Sequence, residues 1–187
     1  PELRMPGDID LWIAVERSAI MRYVRSKGWH VHTTLLHTEF LMSGVTEVEA
    51  HFMPSYRYNP LKHWQMCRLF DSIEDVQLQH KVSLESGGNT LVSVPTAAFN
   101  RVYLLAHIYR HFFGEGIGLR QLVDYYYCLR QGFSAAEAEQ TVHWLKKMGM
   151  YRFARAMMYV MRTLLQLPDQ CLYAMPDARL GKMLLRE

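Results

Sequence analysis

Polar and apolar positions alternate along DIDLWIAV (residues 8–15), as they do in a strand with one polar face. The next segment, ERSAIMRYVRSKG, changes period: Ala19, Ile20, Tyr23 and Val24 stand at helical spacing, and Gly28 is placed to stop the helix. WHVHTTLL and TEFLMSG then read as two strands. VTEVEAHF alternates strictly, with Glu47, Glu49 and His51 on one face and Val48, Ala50 and Phe52 on the other. Strand, helix, strand, strand, strand describes a small α/β unit whose sheet has one polar face. After Pro54 the pattern is less regular: NPLKHWQMCRLFDSIED accommodates one helix or two short turns, and SLESGGNTLVSVP reads as a hairpin around Gly87 and Gly88, closed by Pro95.

Beyond Pro95 the period is helical throughout. Thr96 caps TAAFNRVYLLAHIYRHFF, and GEGIG breaks it. LRQLVDYYYCLRQG follows and stops at Gly132; SAAEAEQTVHWLKKMG opens with a capping box of Ser134 and Glu137; YRFARAMMYVMRTLLQL ends near Pro168; DARLGKMLLRE forms a short last helix. Helices with short connections read as a bundle. The fold class expected is α+β: a small mixed sheet domain over residues 1–95, then a helical domain over residues 96–187.

Composition narrows the picture modestly. The chain has 187 residues, half of them hydrophobic, which is enough for a sizeable core. A formal charge of +3 is mildly basic, with no concentrated basic stripe, so a nucleic-acid partner is disfavoured. Cys67, Cys128 and Cys171 are odd in number and lack metal-ligand spacing, so they read as reduced thiols of a cytoplasmic protein. No apolar run reaches the roughly 18 residues that would span a membrane.

The chemistry concentrates where carboxylates interrupt apolar strands. Asp8 and Asp10, two apart in a strand, point to the same side and repel unless a proton or a cation lies between them. A hard divalent ion such as Mg²⁺ or Mn²⁺ prefers such oxygen ligands. Glu49, on the polar face of VTEVEAHF, is the third acid expected; Glu47 is set aside as nearer the solvated end of its strand, and His51 is expected to orient a ligand or to bond within the sheet. Three carboxylates from two strands suffice for two metal ions, which stabilise both oxygens of an in-line phosphoryl displacement.

Arg4 with GDIDLWI, the later VEAHF, and HIYRHFFGEGIGLRQLVDYY together resemble the polymerase-beta-like nucleotidyltransferase superfamily, and more narrowly a bacterial family of uncharacterised nucleotidyltransferases. The resemblance covers most of the chain. It implies a Mg²⁺-dependent enzyme that moves a nucleoside monophosphate from a nucleoside triphosphate such as ATP to an acceptor hydroxyl. It carries Asp8 and Asp10 over as metal ligands, Glu49 as the acid that helps to activate the acceptor, and Arg4 as a weaker phosphate contact. One departure stands out: the superfamily's Gly-Ser-type turn, whose amides cradle the triphosphate, is absent from the residues before Asp8. The expectation is that this turn lies on a segment preceding Pro1.

Three further residues are candidates for substrate contacts. His107 and His111 share a helix face, which the resemblance places near the active cleft, although hydrogen-bonded structural histidines are the commoner case. Arg120 either pairs with Asp124 four residues on or faces substrate from the GIGLR turn. The alternatives to transfer are a protein that kept the fold for binding or regulation, and another metal-dependent phosphate-processing enzyme such as a hydrolase.

Overall fold

The computed structural model describes residues 8–34, 36–42, 46–83, 90–114 and 116–186. Within these the chain runs β1 (Ile9–Trp12), α1 (Arg17–Ser26), β2 (Val31–Thr33), β3 (His37–Met42), β4 (Thr46–His51), α2 (Pro60–Gln79), β5 (Lys81–Ser83), β6 (Leu91–Ser93), α3 (Ala97–Gly114), α4 (Leu119–Arg130), α5 (Ala135–Lys147), α6 (Tyr151–Leu164) and α7 (Ala178–Leu184). The class is α+β: a small mixed sheet near the amino-terminal end, followed by helices. Packing divides the chain into two compact units, Pro1–Tyr56 and Arg57–Glu187. The change of residue pattern near Pro95, from mixed elements to helices alone, does not coincide with that division.

In the first unit four strands lie in the order β1-β4-β3-β2. β1 runs parallel to β4; β4, β3 and β2 are antiparallel. One face is apolar. Val48 and Ala50 of β4 and Phe40 of β3 pack there on Ile20 and Val24, the buried stripe of α1, with Ile13, Trp29, Val31 and Phe52 around them. Trp29 stacks on Phe40 with ring centroids 5.0 Å apart. Gly28, at φ +69, supplies the left-handed turn that stops α1 and returns the chain to the sheet. β2 is shorter than the sequence pattern suggests, ending at Thr33, and His37 opens β3 rather than the loop before it. Thr34 makes that turn: its hydroxyl accepts from the backbone amides of Leu36 and His37, both at 3.2 Å.

The second unit begins with α2, a single helix of 20 residues capped by Asn59, whose side chain accepts from the Lys62 amide at 3.0 Å. β5 and β6 form the expected antiparallel hairpin through Val82 and Val92; its turn glycines, Gly87 and Gly88, lie outside the described residues. Thr96 caps α3 by accepting from the Phe99 amide at 3.2 Å. Ser134 and Glu137 close the capping box of α5. Of the three consecutive tyrosines in α4, Tyr125 is fully buried and Tyr127 is exposed. The methionines of α6 fill the core, with Met157, Met158 and Met161 buried, as the adaptability of the thioether chain favours. α6 ends before Pro168, the chain turning through Gln166 at φ 54. No helix among the described residues is long and apolar enough to cross a membrane.

Candidate functional site

The apolar face of the sheet determines what the opposite face presents. Side chains alternate along a strand, so seating Val48 and Ala50 in the core turns Glu49 and His51 outward on the other side. A slip of one residue would expose the core set and bury the acids, so the register is strongly specified. In that register Asp10 lies directly opposite Glu49 on the parallel neighbour, Glu49 opposite Glu39, and Glu39 opposite His32. One step along, His37 lies opposite His51. Three carboxylates and three imidazoles thus share one face, drawn from four strands.

Their atoms meet. His51 Nε2 lies 2.8 Å from Asp10 Oδ1 and 3.2 Å from Glu49 Oε2, so one imidazole edge holds carboxylates from two strands together. His37 Nε2 lies 2.7 Å from Glu39 Oε1, and its Nδ1 is 3.5 Å from Glu49 Oε2. His32 Nδ1, on the exposed end of the belt, is 3.2 Å from Glu39 Oε2. Burial works against a charged His51, but its hydrogen bonds and charge interactions with Asp10 and Glu49 outweigh that and raise its pKa to about 8. The hydrogen bond from His51, stronger than the opposing effect of burial, lowers Glu49 below the ordinary carboxylate value, with His37 adding to the shift and Asp10 opposing it. The raised pKa favours the imidazolium form of His51, whose charge offsets the repulsion between Asp10 and Glu49.

The sequence candidates fall into distinct places. Asp10 and Glu49 are brought together; the Asp10 side chain is 46 % exposed and that of Glu49 20 %. Asp8 is exposed immediately ahead of β1, not within it. His51 touches both central acids. Arg4 lies outside the described residues. His107, His111 and Arg120 belong to the other compact unit. His107 and His111 face each other on α3 with ring centroids 4.3 Å apart, His107 also against Tyr103, and Arg110 Nη2 is 3.0 Å from His111 Nε2. Arg120 is exposed in the first turn of α4, which opens on the Gly118 amide donating to the Gln121 side chain at 2.9 Å.

Three members of the belt, His32, His37 and Glu39, were not among the sequence candidates. The signal was present: His37-Thr38-Glu39 repeats the acid-and-imidazole alternation of Glu49-Ala50-His51. It is obscured because the strand begins at His37 itself, directly after an apolar stretch that reads equally well as strand.

Chemically, the face offers hard carboxylate oxygens to a divalent cation on its open side, at Asp10, and imidazole nitrogens towards its buried side, at His37 and His51. One donor atom from each of His37, Glu49 and His51 lies within 4.8 Å of the other two. Comparison with known proteins finds no curated protein and no solved structure that matches this chain. A family model does match, over residues 1–166, a span that takes in the whole sheet and the helices through α6. By that match the chain belongs to a family of uncharacterised nucleotidyltransferases.

Proposed function

We propose that the polar face of the sheet carries out metal-dependent nucleotidyl transfer, moving a nucleoside monophosphate from a nucleoside triphosphate to an acceptor hydroxyl. The observation that carries this reading is the register of β1 on β4, which sets Asp10 and Glu49 side by side on one face, both within 3.2 Å of His51 Nε2. Family membership supports the reaction class.

The donor set fits a hard divalent ion. Asp10 and Glu49 offer oxygens from two strands, and Asp8, exposed two residues before Asp10, lies immediately ahead of β1. Mg²⁺ or Mn²⁺ held by these three would supply the positive charge that an in-line phosphoryl displacement needs on its attacking and leaving oxygens. The chain's own residues do the rest. Glu49 stays ionised, the state in which it ligates a cation and accepts a hydrogen bond from an acceptor hydroxyl. His51 fixes the angle between Asp10 and Glu49, since it bonds to both. The parallel pairing of β1 and β4 holds the two acids at a distance set by the sheet rather than by mobile loops. Arg4, His107, His111 and Arg120 remain proposed contacts for the nucleotide or the acceptor.

Mn²⁺ binding followed by electron paramagnetic resonance tests this directly. Wild-type chain is expected to remove free Mn²⁺ from solution, with Mg²⁺ competing, and Asp10→Asn and Glu49→Gln to lose that binding. A chain that binds no Mn²⁺, or variants that bind it as wild type does, would overturn the reading.

A further inference from the structure

We infer that the inner half of this polar face is a second kind of metal site, one for a zinc-class cation, built by His37, Glu49 and His51 and completed by Asp10. The inference goes beyond the transfer reaction proposed above and does not rest on it, although this site shares Asp10 and Glu49 with the proposed Mg²⁺ site and differs from it in using His37 and His51 and not Asp8.

Three observations carry it. First, the donors are two imidazoles and one carboxylate, with a second carboxylate, Asp10, 2.8 Å from His51 Nε2. Nitrogen-rich sets of this kind suit Zn²⁺ and its neighbours, whereas Mg²⁺ favours oxygen throughout. Second, the spacing is right. Tetrahedral coordination with bonds of about 2.1 Å puts ligand atoms roughly 3.4 Å apart. His51 Nε2 is 3.2 Å and His37 Nδ1 3.5 Å from Glu49 Oε2, so two edges of the polyhedron already stand at that length. Third, the site has the outer support that metal-ligating histidines use. Glu39 Oε1 lies 2.7 Å from His37 Nε2, which fixes the ring and leaves Nδ1 as the ligating nitrogen. That Nδ1 is buried, has no hydrogen-bond partner and faces Glu49; the His37 side chain is only 10 % exposed. A buried imidazole nitrogen whose nearest acid stands 3.5 Å away, without a hydrogen bond, is poorly satisfied. A cation coordinated there satisfies it and binds Glu49 in the same step.

The test uses the full chain with Zn²⁺ alone, by calorimetry and by NMR of the imidazole nitrogens. One equivalent of Zn²⁺ is expected to shift the ring signals of His37 and His51 before those of His107 and His111. His37→Gln should weaken Zn²⁺ binding at least tenfold. Glu39→Gln, which keeps all three ligands and removes only the support, should weaken it by roughly 10–100-fold. Because the NMR experiment reads wild-type protein, misfolding of a variant would not decide the outcome. Saturating Zn²⁺ that leaves the His37 and His51 rings unmoved, or unchanged affinity in Glu39→Gln of native circular dichroism, would overturn the inference. Asp8→Asn separates the two sites: it should impair the Mg²⁺-dependent reaction and leave the Zn²⁺ titration as in wild type.

Discussion

Two regions of this protein bury polar groups, and they differ in how far those groups are sealed from solvent. In the helical unit Arg101 of α3 is fully buried, and its partners all belong to that unit, although its Nη1 has no hydrogen-bond partner and Glu137 is 43 % exposed. Its Nη2 donates to Glu137 Oε1 at 3.0 Å, its Nε reaches the Thr141 hydroxyl at 3.5 Å, and its guanidinium lies over the Phe133 ring at 5.0 Å. Its carbonyl accepts from the Tyr125 hydroxyl, which sits 2.7 Å from that of Tyr173. This network ties α3, α4 and α5 together. The belt on the sheet also pairs acids with bases, but it stays open. Asp10 remains half exposed, and His37 and His51 each keep a buried Nδ1 without a partner. What separates the two is access: the Arg101 network centres on a cation sealed in a core, whereas the belt centres on carboxylates that reach solvent at Asp10, where a ligand can meet them.

The comparison is broken most severely by changing an acid of the belt. Asp10→Asn keeps the shape of the side chain and removes its charge. It is expected to reduce nucleotidyl transfer by more than the roughly 10–100-fold that loss of a merely orienting residue brings, with little change in thermal stability; transfer kinetics beside a melting curve check this. The opposite signature is expected of Arg101→Met. Removing the buried cation frees the Glu137 carboxylate and takes one contact from the Thr141 hydroxyl, which still donates to the Glu137 carbonyl at 2.8 Å, and it should lower stability. Urea denaturation measures the loss, and Mn²⁺ binding should be unchanged.

Much of this contrast is legible in the sequence, and the illegible part has physical causes. The polar face of β4 follows from the strict alternation of Glu47, Glu49 and His51, and α1 from the spacing of Ile20 and Val24. The pairing of Asp10 with Glu49 is anticipated as a shared site, but strand order is a tertiary fact: no local pattern says that β1 lies beside β4 rather than β2. His37 and Glu39 are missed because the start of β3 is obscured by the apolar stretch before it, and their meaning depends besides on β3 being the other neighbour of β4. The Arg101 network is also invisible locally. Its members are far apart in sequence, and an arginine within an apolar helical stretch gives no sign that its partners lie on α4 and α5.

Two smaller effects sharpen the account of the Arg101 network. Ser134→Ala removes the side chain that accepts from the Glu137 amide at 3.2 Å and should cost about 1 kcal/mol, readable as a lower denaturation midpoint. The remaining effect is one of pH. Hydrogen bonds from the Ser134 amide, Arg101 and the Ser134 hydroxyl lower Glu137 to about 2 in the folded chain, against an ordinary value of 4.5. Its contribution is therefore fully present above pH 4.5 and is lost as pH falls towards 2. The stability difference between wild type and Glu137→Gln should narrow over that window and be constant above it.

The central claim is that the open belt transfers nucleotides, and following the α-phosphate tests it most directly. Nucleoside triphosphates labelled at that position are incubated with the chain, Mg²⁺ and a mixture of hydroxyl-bearing acceptors. The label should appear covalently on an acceptor with release of pyrophosphate, and the Asp10→Asn chain should show neither. Label recovered only as free nucleoside mono- or diphosphate, or transfer undiminished in Asp10→Asn, would contradict the assignment.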